Sequence, residues 1–289
     1  MVDPRCVLDC KSHLGETPVW DASEGVLWWI DIYKPTLNRF DPKSGRNHEI
    51  VLGQNIHAIA VRRQGGIVGS FQHGIGFVDP ADGKVTTMVD PIGAAPAKFN
   101  DGKCDRNGRF WTGSMSNDWV TPIGCLFRFD ADGIVRSMDT GFKLSNGMGW
   151  SPDDGTMYFT DFGQSTIFAY DYDATTGAIA NRRPLIVVPE SEGKPDGMTV
   201  DAGGNLWVAL WDGWGVAQFD PTGRRIRKVP LPVQRPTSCA FGGEGLGTLY
   251  VTSAWMQLSE QERAAQPLAG ALFAIEAGTR GLAEPRFAG

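Results

Sequence analysis

Histidine and cysteine are scarce in this chain, with four and five respectively among 289 residues, and no Gly-x-Ser-x-Gly elbow occurs. A histidine-rich zinc site and a hydrolase of the serine-nucleophile type are therefore unsupported. An odd cysteine count in a chain this long does not make a secreted disulfide framework. Cys6 and Cys10, in Cys-x3-Cys spacing, have no second Cys or His pair and read as packed strand thiols. Basic excess is also missing: the net charge is -6, and Lys and Arg are scattered, so no concentrated basic face for nucleic acid is expected. There is no apolar run near bilayer length and no basic-plus-apolar N-terminal segment, which predicts a cytoplasmic protein without a membrane partner. No protein partner is predicted either.

One unit is present six times. Glu16-Thr-Pro-Val-Trp20, His57-Ala-Ile-Ala-Val61, Asn100-Asp-Gly-Lys-Cys104, Asn146-Gly-Met-Gly-Trp150, Asp196-Gly-Met-Thr-Val200 and Thr237-Ser-Cys-Ala-Phe241 each lead, through a Gly-bearing turn, to a second apolar run such as Val26-Leu-Trp-Trp-Ile30. The period within each copy is two, and β-branched and aromatic residues dominate. A second class of turn follows, as in Phe40-Asp-Pro-Lys-Ser-Gly45 and Phe219-Asp-Pro-Thr-Gly223, where Asp starts the turn and Gly accepts positive φ. A repeat of roughly 45 residues holding four strands is a propeller blade. The expected fold is all-β: a six-bladed β-propeller with four-stranded blades, residues 1–289 forming one domain. Arg5 to Asp9 looks like a lone strand that completes the last blade, whose own strands are Ser238 to Phe241, Leu249 to Ser253 and Ala271 to Glu276. Such closure removes an exposed sheet edge. One helix is expected, Leu258 to Ala265.

In a propeller the first strand of each blade lines the axis. Glu16, Asn100, Asn146 and Asp196 then converge, supplying two carboxylates and two amide carbonyls. Carboxylates held together repel unless a proton or a cation intervenes. All-oxygen ligation suits one divalent ion, Ca²⁺, Mg²⁺ or Mn²⁺, with Zn²⁺ and Fe(II) also admissible. The competing reading is that Asn-Gly, Asp-Gly and Asn-Asp-Gly are hairpin-turn sequences, although Glu16-Thr-Pro is no turn dipeptide. Trp119, Trp211 and Trp214, with Asp161, follow second strands where loops reach the channel mouth. Trp119 and Trp214 are candidates for stacking on a sugar face, and Asn117 to Gly124 is expected to be a loop over the site.

At these positions the chain resembles the family of gluconolactonases, senescence-marker protein (regucalcin) and luciferin-regenerating enzymes, six-bladed propellers that hydrolyse sugar lactones. The resemblance covers essentially the whole chain and rests on Leu14-Gly-Glu-Thr-Pro-Val-Trp20, Asn100-Asp-Gly-Lys, Leu144-Ser-Asn-Gly-Met-Gly-Trp-Ser-Pro-Asp153, Pro195-Asp-Gly-Met-Thr-Val-Asp201, Arg235-Pro-Thr-Ser-Cys-Ala-Phe-Gly-Gly243 and Pro267-Leu-Ala-Gly270. It implies one divalent ion held by Glu16, Asn146 and Asp196, with Asn100 close by at the substrate and Asp196 as general base. The family usually carries Arg two residues before the Asn, where this chain has Lys98, a point charge without the planar fork. Lys98 is either a substrate-orienting group or a solvated surface residue. Three functions compete: a metal-dependent aldonolactone hydrolase of carbohydrate catabolism, a non-catalytic calcium-binding regulator, and a propeller esterase acting on other lactones or organophosphates.

Overall fold

The computed structural model describes residues 3–289. Six four-stranded antiparallel sheets stand around a common axis, each built from strands consecutive in sequence except the last. The blades comprise β1 (Arg5–Leu8), which belongs to the final sheet; β2 (Gly15–Asp21) to β5 (Arg46–Val51); β6 (Ile56–Val61) to β9 (Val85–Val89); β10 (Ala97–Cys104) to β13 (Val135–Phe142); β14 (Ser145–Trp150) to β17 (Ala178–Val187); β18 (Lys194–Val200) to β21 (Arg225–Pro230); and β22 (Pro236–Gly242) to β24 (Leu272–Glu276). The first strand of every blade packs against the first strands of its two neighbours, and β2 meets β22, so the ring is closed. β1 pairs antiparallel with β24 as the outermost strand of the last sheet, the closure expected from the sequence. The helix is shorter than expected, α1 (Glu260–Ala265), because Ser259 caps it in a capping box with Glu262.

The burial follows the alternation of the repeat. Inner and second strands are largely buried, while the outermost strands, such as β9, are only partly covered. Between blades the aromatics interdigitate: Trp111 meets Trp150 and Tyr172 edge-on, and its indole nitrogen donates to Asp105, as that of Trp207 does to Asp201. The Asp-led turns close the third and fourth strands as their chemistry requires. Asp41 accepts from the backbone of Lys43, Asp173 from Thr175 and Asp220 from Thr222, and Gly45, Gly177 and Gly223 take φ of 70°, 67° and 87°.

Residues 279–289 cross the face where the inner strands end. Ala202 donates to Arg280, Phe287 to Val61, and Ala288 to Gly108, while the Arg286 guanidinium pairs with Asp21. This segment therefore ties blades one, two, three and five together. Glu284 enters the axial channel and meets Lys103 at 3.5 Å, both largely shielded from solvent, and Lys103 also donates to the Met198 carbonyl. Only about 30 Å³ of open space remains at this end, enough for isolated water.

Candidate functional site

Each inner strand carries one extra residue near its start. The register shifts fall between Glu16 and Val19, Ile56 and Ala58, Phe99 and Gly102, Ser145 and Met148, Pro195 and Met198, and Pro236 and Ser238. Six β-bulges thus sit at the same level of the channel, at or beside the residues that open each repeat. A bulge bends its strand and re-aims the side chain it carries. The Asn-Gly and Asp-Gly pairs are therefore not hairpin turns. They lie inside strands, and Gly147 and Gly197 have no positive φ. Their missing side chains serve packing instead: a Cβ on Gly147 would lie 2.6 Å from the Asp196 carbonyl oxygen and the Met198 nitrogen, and one on Gly197 would collide with Ser238. Glycine lets neighbouring inner strands approach closely enough to bring the preceding side chains together.

These side chains meet at the end of the channel opposite residues 279–289. Glu16, Asn100, Asn146 and Asp196 line one cavity of about 280 Å³, together with Leu14, Trp119, Leu144, Phe162, Lys194, Trp211, Asp212, Met256 and Gln257. Glu16, Asn146 and Asp196 are buried, each less than a tenth exposed. Burial first, and then the neighbouring carboxylates Asp196 and Asp101, push the Glu16 carboxyl well above its ordinary range. Burial and Asp101 do the same to Asp196, opposed by hydrogen bonding to the Asn146 amide and to Gly197. The Asn146 carbonyl oxygen is buried without a hydrogen-bond partner. Buried acceptors are rarely left unpaired, and an orphaned amide oxygen beside two mutually repelling carboxylates fits a hard divalent cation. Among the described residues no three His, Cys, Asp or Glu side chains stand at metal-ligating spacing, and the Asn146 amide oxygen is the further side-chain donor beside the two carboxylates. Asn100 donates its amide hydrogen to the Ser145 carbonyl at 2.8 Å, which ties blade three to blade four and leaves its carbonyl oxygen for the cavity.

The other expected residues are distributed unevenly. Trp119, in the loop after β11 (Phe110–Ser116), is a cavity wall with φ of 65°, its turn held by Asp118, which accepts from Val120 and Thr121. Lys98 is half-buried, its ammonium 4.9 Å above the Trp119 ring, so it is a rim group and not a fully solvated one. Trp214 is exposed and does not line the cavity; Trp211 does, stacked under the Arg235 guanidinium. Asp161 is a brace. It is fully buried and accepts from the backbones of Lys143, Leu144 and Gly163, as Asp31 does from His13 and Leu14. Repeat-mate His57 stays neutral, its imidazole pushed down to about 3 by burial and then by Lys98.

Sequence reasoning missed Asp101, Lys194 and the Asp212–Arg235 pair. Asp101 is buried one residue after Asn100 and raised to about 6, chiefly by burial. The bulge sets Asn100 and Asp101 together opposite Gly113, and nothing in residue type signals that extra residue. Asp212 has φ of 59° and accepts from Arg235 at 2.6 Å.

Residues 14–255 match the family model described as "SMP-30/Gluconolactonase/LRE-like region". The chain belongs to this family. It is 36% identical to pentonolactonase XacC of Haloferax volcanii over 285 residues, covering 97% of this chain and 96% of that protein. It is 37% identical to 6-deoxy-6-sulfogluconolactonase of Pseudomonas putida over 288 residues, covering 99% and 98%. The crystal structure of a calcium-binding protein, regucalcin, from Agrobacterium tumefaciens superposes with a TM-score of 0.94 at 27% identity, covering 99% of this chain and 97% of that one. The six-bladed architecture with four-stranded blades is thus that of the family.

Proposed function

We propose that this protein is a metal-dependent lactonase that opens a sugar lactone to the corresponding aldonic acid. The observation that carries the reading is the unpartnered Asn146 carbonyl oxygen beside the buried Glu16 and Asp196 carboxylates, at the floor of an open cavity. Relatives named as pentonolactonase and sulfogluconolactonase, alike along nearly their full length, support the reaction class. Glu16, Asn146 and Asp196 would hold one divalent ion, Ca²⁺, Zn²⁺, Mg²⁺, Mn²⁺ or Fe(II), whose charge offsets the two carboxylates. When bound, the ion supplies Lewis-acid polarisation of the lactone carbonyl.

A lactone is a cyclic ester, and its hydrolysis adds one water across the acyl C–O bond. Asp196 takes a proton from the attacking water while the new C–O bond forms at the carbonyl carbon. The same carboxyl then returns that proton to the ring oxygen as the acyl bond breaks, giving a hydroxyl and a carboxylic acid. Asn100 offers its carbonyl oxygen to a substrate hydroxyl, and Trp119 offers an aromatic face to the sugar ring. Lys98 above that face stands where a substrate oxygen can accept from it.

The test is dialysis against a chelator, metal add-back, and acid release followed in a pH-stat over a panel of aldonolactones, aryl lactones and organophosphates. Acid release from sugar lactones that returns with a divalent ion supports the proposal. Ion binding without turnover of any lactone points instead to a non-catalytic calcium-binding protein, and turnover confined to the non-sugar esters to a related esterase. Asp196→Ala should abolish metal-dependent turnover with the circular-dichroism spectrum unchanged, because the apolar and aromatic clusters that hold the blades together are left in place. Full activity in that variant would refute the assignment.

A further inference from the structure

The charges around the cavity do not cancel. Among the carboxylates that line the cavity, Glu16 and Asp196 are offset by a divalent ion on the reading above and Asp212 by Arg235, while the buried Asp101 is not part of the lining. Two ammonium groups remain. Lys194 lines the cavity with its nitrogen 5.1 Å above the Phe162 ring, and Lys98 stands 4.9 Å above the Trp119 ring. Neither lysine pairs with a carboxylate among the described residues. Phe162 and Trp119 are themselves cavity walls, so each lysine is seated on an aromatic platform at the rim. An aromatic face holds a cation in place while leaving its hydrogens free for a ligand, and a lysine so placed is a strong point donor to an anion. Arg235, by contrast, is spent on Asp212 and on the Met256 carbonyl.

We infer that the substrate carries an anionic group remote from the reacting carbonyl, a carboxylate, sulfonate or phosphate ester on the sugar carbon chain, and that Lys194, assisted by Lys98, selects for it. The inference deepens the lactonase reading and rests on it. A six-carbon lactone with one acidic substituent suits a cavity of about 280 Å³ with the carbonyl at the buried floor and the acid at the rim. Lys194 is two residues before Asp196 on β18, so one short stretch of strand bears both the proposed base and the anion contact. The two groups therefore keep a fixed separation, which favours substrates whose acid lies a set number of carbons from the lactone carbonyl.

The experiment compares kcat/KM for glucono-1,5-lactone with that for its C6-carboxylate, C6-sulfonate and C6-phosphate counterparts, in the wild-type protein, Lys194→Met, Lys98→Met and Lys194→Arg. The wild-type protein should prefer at least one acidic substrate by about tenfold or more, the usual worth of a charge-assisted hydrogen bond. The three acids separate the possible sources of the negative charge. Lys194→Met should collapse that ratio towards one, mainly through KM. Lys194→Arg should restore most of it, and raised salt should lower it. Wild-type preference for the neutral lactone, or an acid-to-neutral ratio untouched in Lys194→Met, would overturn the inference. If no lactone of either kind is turned over, the lactonase reading has failed, and calorimetry of the metal-loaded protein with glucarate against gluconate still reads the charge selection. Tighter glucarate binding that is lost in Lys194→Met supports it, and equal binding sinks it.

Discussion

Gly147→Ala separates two accounts of the Asn-Gly pair at the proposed metal site. Backbone conformation does not forbid alanine there, since φ lies outside the positive range. Were the pair a freely placed turn, alanine would cost nothing, or add a few tenths of a kcal/mol by restricting the unfolded chain. In the packed channel the new methyl would stand 2.6 Å from both the Asp196 carbonyl oxygen and the Met198 nitrogen. Ordinary contact begins near 3.4 Å, so blades four and five have to separate by roughly 0.8 Å, and the obstruction is backbone that cannot swing aside. Overpacking of this kind costs about 1–3 kcal/mol, which for a chain of this length lowers Tm by roughly 2–5 °C. The displaced strand is the one that carries Asp196, so divalent-ion affinity should fall as well. Differential scanning calorimetry with calorimetric metal titration measures both. A Gly147→Ala protein with wild-type Tm and wild-type ion affinity would refute the packing argument.

The remaining expectations concern pH and the far end of the channel. Asp101 is raised to about 6, and Glu16 and Asp196 are also raised, so each binds its proton more tightly folded than unfolded. The contribution of these groups to the metal-free fold is therefore complete below about pH 4 and is lost as pH climbs through and beyond 6. A divalent ion replaces those protons, so the gain in Tm on adding metal to chelator-treated protein should widen across that window; a gain independent of pH contradicts the coupling. Glu284→Ala leaves the shielded Lys103 ammonium with only the Met198 carbonyl as partner and should cost about 2 kcal/mol or more. Urea unfolding reads that loss, and a variant of unchanged midpoint would show the pair to be dispensable.

The ring was legible in the sequence because each blade repeats the same signals in the same order. An apolar alternation ends at a glycine turn, and an Asp-led turn then closes the outer hairpin, as at Asp41 and Asp220. Glu16, Asn100, Asn146 and Asp196 were legible for the same reason, since equal positions in equal blades fall at equal heights along an axis. Asp101 was hidden because its inward setting depends on a bulge, an extra residue that alters pairing without altering composition. The choice between Trp211 and Trp214 was hidden as well. It follows from left-handed conformations at Asp212 and Trp214, neither of which is a glycine that would have announced them. Asp161 looked functional because it opens a loop, yet its carboxylate is consumed by backbone donors, a fact set by how that loop folds back. Residues 279–289 have no periodicity, since their contacts are spread over several blades.

Those last residues turn the channel into a blind alley. With Glu284 and Lys103 stoppering one end, the axis holds room for little more than water there, and whatever reaches Asp196 must arrive and depart by the mouth of the cavity it lines. Traffic is then single file, and the outgoing acid has to clear the threshold before the next lactone can enter.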